Sequence, residues 1–148
     1  MPSITPSYVY TLFACMIVGT MLVCAFSASA LNVKNEAEEQ QIKKLATYVA
    51  AKGCELVSSA EENNLTAECS LNAPGFIGNR QYWIQMMNDS GVASVKTGFG
   101  TTPHATDYSV PMPVGVVASG TYTSGSGSLV LRCFIVGTTL YLQLSGGP

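Results

Sequence analysis

Hydrophobic positions change their pattern within the N-terminal part of the chain. From Tyr8 to Leu31 there is no charged side chain, and apolar residues occupy every angular position of a helix. From Asn35 to Ala60 they recur every three or four residues and form a single stripe. No proline or Gly-Asn pair interrupts residues 7–60, so the pattern predicts one helix of roughly 55 residues.

The two halves of this helix are predicted to have different neighbours. A helix that is apolar on every face must be buried on every face, in lipid or against other helices, whereas an amphipathic helix buries only its stripe. The large residues expected to form a filament-core or membrane segment are Tyr8, Leu12, Phe13, Met16, Ile17, Val18, Met21, Leu22, Val23, Phe26 and Leu31. Those expected to pack the helix against the rest of the chain are Ile42, Leu45, Val49, Leu56 and Val57.

The apolar run has the length of a membrane span. As a helix, residues 8–31 measure ~36 Å, against ~30 Å for the hydrocarbon core of a bilayer. A cleavable signal peptide is the alternative, since Ala28-Ser29-Ala30 resembles a cleavage site. A signal peptide also needs a positively charged start, and no charge precedes Lys34. We therefore expect the run to be retained, and hypothesise that a basic leader preceding Met1 has been removed.

After Ala60 the periodicity becomes that of short strands separated by Gly, Ser, Thr, Asn and Pro. The pair LVLRCFIV and TLYLQL, joined at Gly137-Thr138, forms the clearest hairpin. The predicted fold class is α+β, with a long helix in residues 1–60 and a small antiparallel β domain in residues 61–148. This domain is expected to be a sandwich or a curled sheet, and the second half of the helix is available to cover one of its faces. The predicted strands are Leu65–Leu71, Arg80–Met87, Val92–Thr97, Tyr108–Met112, Val114–Ser119, Ser128–Val136 and Thr138–Leu144.

The amino-acid composition argues against several classes of function. Only 11% of the 148 residues are charged, with seven Lys and Arg against nine Asp and Glu, so no basic patch exists for nucleic acid. A single histidine, His104, has no second histidine to share a metal ion and is expected to be a surface residue. No catalytic, cofactor or metal site is predicted.

The five cysteines fall into two groups. Cys15 and Cys24 lie in the apolar run and are interpreted as small buried residues. Cys54, Cys69 and Cys133 are disulfide candidates, and a Cys54–Cys69 bridge would close a loop of ~15 residues, worth about 3 kcal/mol. Pairings with Cys133 remain open, because spacing alone does not fix connectivity.

Two sequons mark candidate glycosylation sites. Asn64-Leu65-Thr66 and Asn88-Asp89-Ser90 both lie at polar breaks between predicted elements. Beyond Lys96 the only charged residues are Asp107 and Arg132, and glycans would help such a surface to stay soluble.

A long helix, apolar and then amphipathic, followed by a small β domain rich in Ser, Thr and Gly resembles the type IV pilin-like proteins of archaea. At residue level the segment LNAPGFIGNRQYWI, residues 71–84, is similar to the L-P-x-x-I-G-G-x-x-Y-x-I segment of many archaeal pilins. Ile77, Gly78, Tyr82 and Ile84 fit that pattern. The sequence departs from bacterial pilins at Thr5, where they carry glutamate, and it shows no Lys/Arg-Gly leader.

This resemblance implies a structural protein. In that family a leader peptidase acts on the membrane-inserted subunit, and assembly machinery then builds a helical homopolymer with the apolar helices at its centre. We therefore expect a pilin of an extracellular filament at the cell surface, used for adhesion. The alternative is a membrane-anchored or secreted β domain that binds its partner as a monomer.

Overall fold

The computed structural model describes residues 5–63, 65–89, 91–103, 108–113 and 115–147, and builds them from one helix and seven strands. Helix α1 spans Thr5–Asn63. The α+β class and all seven predicted strands are confirmed. The strands are β1 (Ala67–Leu71), β2 (Tyr82–Asp89), β3 (Val92–Phe99), β4 (Tyr108–Pro111), β5 (Val116–Thr123), β6 (Leu129–Val136) and β7 (Thr139–Gly146).

The chain divides into two compact units, Met1–Ala37 and Glu38–Pro148. The first contains the helical residues up to Ala37. The second contains the remainder of α1 together with every strand. Its hydrophobic core contains Ile42, Tyr82 and Leu142, so the core contains residues of both the helix and the sheet.

The strands form a single seven-stranded sheet in the order β1-β6-β7-β5-β2-β3-β4. All neighbouring strands are antiparallel except β5 and β7, which are parallel. Of the two expected arrangements the sandwich is therefore not formed, and the domain is one sheet whose second layer is helix α1. This arrangement still buries one face of the sheet, because an amphipathic helix covers it as well as a second sheet does.

The β6–β7 hairpin turns at the two predicted residues. Val136 pairs with Thr139, which leaves Gly137 and Thr138 as the turn. Gly137 has φ +65°, the positive value that primed hairpin turns require at their first position. Glycine adopts this conformation without a steric penalty, so the local sequence sets the register of the hairpin.

Helix α1 packs closely on the sheet within the second unit. Ala46 and Val49 have no exposed surface at all, and they face the core that the strands provide. At Gly53 a Cβ would lie 2.7 Å from the Met112 side chain and 3.0 Å from that of Leu142. Glycine at this position therefore lets the helix backbone approach β7 more closely than another residue would.

The opposite face of the sheet is covered above strand β2. Trp83 is 2% exposed and lies outside the helix-facing core, against Gly98 of β3. The Thr123 hydroxyl of β5 donates to the Thr101 carbonyl at 3.5 Å. Because Trp83 pairs with both Gly98 and Thr123, this bond joins the segment after β3 to the strand next to Trp83.

One glycine is required by close backbone packing. Gly120 of β5 has φ +122°, which residues with a side chain rarely adopt. A Cβ there would also collide with the Leu144 carbonyl of the neighbouring strand β7. Both effects act at the one parallel pairing of the sheet, where Gly120 lies opposite Leu144.

We predict that Gly120→Ala lowers the free energy of unfolding by about 3 kcal/mol, since backbone strain adds to a clash with a backbone atom that cannot move aside. Gly125→Ala is the matched control, because Gly125 has φ +88° but open space around it, and we expect a loss of about 1–2 kcal/mol there. Thermal unfolding of the full chain in non-ionic detergent measures both. Equal losses would contradict the close approach.

Candidate functional site

The most unusual surface of the molecule is the N-terminal part of α1. All eleven large residues predicted for the apolar segment lie on it with more than half of their surface exposed, from 53% at Ile17 to 77% at Tyr8. The segment carries no charged side chain before Lys34. An apolar surface of this size on one chain marks a site of interaction with protein or membrane.

This exposure extends around the whole helix. Met16, Ile17 and Val18 are consecutive, so their side chains point about 100° apart, and each is more than half exposed. Met21, Leu22 and Val23 repeat the pattern further along the helix. No single flat neighbour can cover such a surface, whereas lipid or several helices can.

Helix α1 also meets the requirements of a membrane span. By length and composition it is apolar enough to cross a bilayer, and none of its most apolar stretch is buried within the chain. At one end stand Tyr8 and Tyr10, aromatic residues of the kind enriched at membrane interfaces. At the other end the first charged residue is Lys34, which extends easily into a headgroup region.

The residues predicted to join helix and sheet lie in the second unit. Ile42, Leu45, Val49 and Val57 are buried in the core. Leu56 is half-buried and packs against the same core. The stripe therefore makes contacts within the chain that the apolar segment does not make.

All five cysteines lie in the described residues, and all five are free thiols. The disulfide prediction is not confirmed. Ala67 of β1 pairs with Cys133 and Cys69 with Leu131, so Cys69 and Cys133 are diagonal neighbours rather than directly opposed. Diagonal pairs lie about 7–8 Å apart, which exceeds the usual reach of a disulfide.

Cys54 of α1 and Cys69 of β1 are both partly buried against the hydrophobic core, and no bond joins their sulfur atoms. Cys15 and Cys24 are exposed on the apolar segment rather than buried within the chain.

The two sequons differ in what the structure describes. Asn88 is exposed near the end of β2. Asn64 and Ser90 lie outside the described residues, as does His104. Among the described residues no group of three or more His, Cys, Asp or Glu side chains is arranged to hold a metal ion.

The segment that resembles archaeal pilins forms a tight turn against α1. Ile77 and Arg80 exchange two backbone hydrogen bonds of 3.1 Å around Gly78, which has φ +64°. The Glu38 side chain of α1 lies directly against Gly78, where a Cβ would collide with its carboxyl group. Tyr82 follows the turn and donates its hydroxyl hydrogen to the Pro74 carbonyl.

Glu38 is a residue that the sequence analysis missed. It is 5% exposed, although the surrounding Glu36 and Glu39 are exposed. The sequence does indicate that Glu38 is buried. It precedes Ile42 by four residues and therefore continues the buried stripe one turn toward the N-terminus. Because glutamate is polar, a search for apolar positions does not include it in the stripe.

Two tyrosines in the core have perturbed acidity. Burial raises the pKa of Tyr82 far above its usual range, and nearby Tyr122 raises it further. Burial also raises the pKa of Tyr122, whose hydroxyl donates to the Gly127 carbonyl at 3.0 Å. Each phenol is therefore kept neutral, which suits a structural hydrogen bond better than proton transfer.

The architecture, an exposed apolar N-terminal helix followed by an antiparallel sheet packed on an amphipathic helix, is consistent with a type IV pilin-like fold. Comparison with family models, with curated proteins and with solved structures finds no match to this chain.

We predict that Gly78 and Glu38 are energetically coupled. Gly78→Ala should cost about 2–4 kcal/mol in the natural chain, since the left-handed backbone adds to a collision with the carboxyl group. In a Glu38→Ala background the collision is gone and only about 1–2 kcal/mol should remain. Denaturant unfolding of the four variants of this cycle in non-ionic detergent measures the coupling, and equal costs in both backgrounds would exclude the contact.

A second prediction concerns alkaline pH. The pKa of Tyr82 is higher in the folded than in the unfolded chain, so its contribution to stability is complete below pH ~10 and is lost as pH rises through the folded pKa. Tyr82→Phe should therefore make the loss of stability above pH 10 less steep. Below pH 9 the two chains should keep a constant difference of about 1 kcal/mol, the lost hydrogen bond to Pro74. Thermal unfolding across pH 7–12 checks this, and parallel curves throughout would refute it.

Proposed function

We propose that the chain is a structural subunit, a pilin, of an extracellular archaeal type IV pilus-like filament and has no catalytic role. The observation that carries the proposal is the exposure of the whole apolar segment, residues 8–31. The pilin-like architecture of the chain supports it, because the domain that follows has a complete core of its own.

Assembly through the apolar segment satisfies the hydrophobic effect. Burying one large apolar side chain contributes about 1.5–3 kcal/mol, and the eleven residues from Tyr8 to Leu31 give tens of kcal/mol of gross stabilisation relative to water. Head-to-tail copies of one chain surround each helix with others of its kind, which covers every face at once. Relative to lipid the gain is small, because lipid tails already cover apolar side chains.

Because lipid and other copies of the helix both cover the apolar segment, the chain has different partners before and after assembly. Before assembly the subunit resides in the membrane, and a leader peptidase and pilus assembly machinery transfer it into the polymer. The principal partner is then the chain itself. The finished filament lies outside the cell, where it serves adhesion and where Asn88 on β2 is open to glycosylation.

A monomeric, membrane-anchored binding protein is the competing function. The suitability of α1 as a membrane span is what favours it. The two functions differ in what covers the apolar segment in the native protein, lipid in one case and copies of the chain in the other. Fibres of constant width in negative-stain images of native material are expected only of the filament.

We predict that Leu22→Glu abolishes fibre formation. A carboxylate placed among apolar helices is desolvated without a partner, a cost of several kcal/mol in every subunit. Leu65→Glu is the matched control, because Leu65 is 66% exposed but lies beyond α1, and its fibres should remain. Electron microscopy of material from cells that express each variant measures the outcome.

Both variants must be present in equal amounts in the membrane fraction, so that a loss of fibres is not a loss of protein. Fibres that persist with Leu22→Glu would show that the apolar segment does not form the filament core. Uniform monomers of the natural chain in native membranes would favour the anchored binding protein instead.

A further inference from the structure

The sheet face that points away from α1 has a distinct surface over strands β1, β6, β7 and β5. Leu131 and Cys133 of β6 are buried in the helix-facing core. Because side chains alternate along a strand, Arg132 and Phe134 point to the opposite face. There Arg132 is exposed and Phe134 half-buried, in contrast to Trp83 on β2, which is covered.

A row of polar side chains crosses this face. Strand register places Glu68 opposite Arg132, Arg132 opposite Gln143, and Gln143 opposite Ser119. Arg132 donates from Nε and Nη2 to Oε2 of Glu68 at 2.9 and 2.7 Å. These two bonds orient the guanidinium toward Glu68, and its N–H groups that they do not use can donate to a ligand.

An aromatic pair forms the next row. Phe134 and Tyr141 are cross-strand partners, and their rings lie 5.6 Å apart at 9° from parallel. Both are half-buried, so each ring keeps part of its surface in solvent. Two residues along a strand separate the aromatic row from the polar row, a distance of about 7 Å, and a single ligand can touch both.

The polar row borders a cleft. It has a volume of about 260 Å³, and its lining includes Glu68, Val130, Arg132, Gln143 and Ser145. Hydrogen-bond donors and acceptors thus line the cleft, and the aromatic pair lies on the other side of the polar row. A few oriented polar groups beside an apolar surface are the usual composition of a small-molecule site.

We propose that this outer-face site, formed by Glu68, Arg132, Gln143, Phe134 and Tyr141, binds a neutral oligosaccharide. Sugar hydroxyls both donate and accept, which matches the polar row, and the C–H face of a pyranose packs on aromatic rings. The charges indicate a neutral ligand, since Glu68 already compensates Arg132, the only lysine or arginine after Lys96. The inference rests on the proposed extracellular role, for which it supplies the ligand of adhesion.

The test uses the full chain, dispersed in a polyoxyethylene detergent that has no sugar headgroup. Titration calorimetry with cellohexaose, maltohexaose and a galacturonic acid hexamer compares two neutral probes with an acidic one. We expect one neutral hexasaccharide to bind with one site per chain, and the acidic probe to bind at least roughly tenfold more weakly.

Variants locate the binding. Tyr141→Ala and Arg132→Ala should each weaken it by roughly tenfold or more, and Arg132→Lys should not restore it, since lysine lacks the planar fork of donors. Phe76→Ala is the matched control, because Phe76 is a solvent-exposed aromatic residue outside the strands, and it should bind as the natural chain does. Gln143→Ala, an exposed polar change, provides a variant that leaves the aromatic pair intact should Tyr141→Ala unfold.

The proposal is overturned if neither neutral probe binds at its solubility limit, or if Phe76→Ala weakens binding as much as Tyr141→Ala. It is also overturned if the outer-face variants alter only fibre assembly, since the surface then contacts another copy of the chain. Because binding is measured on dispersed chains, its failure is separate from that of the filament. Missing fibres with intact binding would refute the filament alone.

Discussion

The apolar segment of α1 is the feature on which the rest of the molecule depends, because none of the described residues of its own unit shields it from water. Residues such as Met16, Ile17 and Val18 point in different directions and are all exposed. Such exposure indicates that the helix packs against lipid or against other protein chains. The second unit needs no such partner, since its helix stripe and sheet bury each other.

Along α1 the side chains change from exposed to partly buried where the second unit begins. Glu38 is the first residue of the second unit and the first buried position of the stripe. It lies against Gly78, so the helix is held at this point by the turn of the segment that resembles pilins.

Periodicity predicted the elements well and their arrangement only in part. The three-and-four spacing from Ile42 to Ala60 and the hairpin at Gly137 are local signals, and both elements formed as expected. The parallel pairing of β5 with β7 and the diagonal offset of Cys69 from Cys133 depend on sheet order, which spacing along the chain does not encode. The outer-face site escaped detection for the same reason, since Glu68 and Arg132 meet only through strand register.

The scarcity of charge also bears on what the few ion pairs do. Lys43 with Glu39 and Lys52 with Glu55 are exposed pairs within one helix, where each contributes only a few tenths of a kcal/mol. The pair of Arg132 with Glu68 is exposed as well, so its contribution to stability is equally small. Its effect is to orient a guanidinium beside an aromatic pair on a surface otherwise almost free of charge. A recognition site requires oriented polar groups. This face of the sheet provides one without changing the hydrophobic core, which lies on the other face.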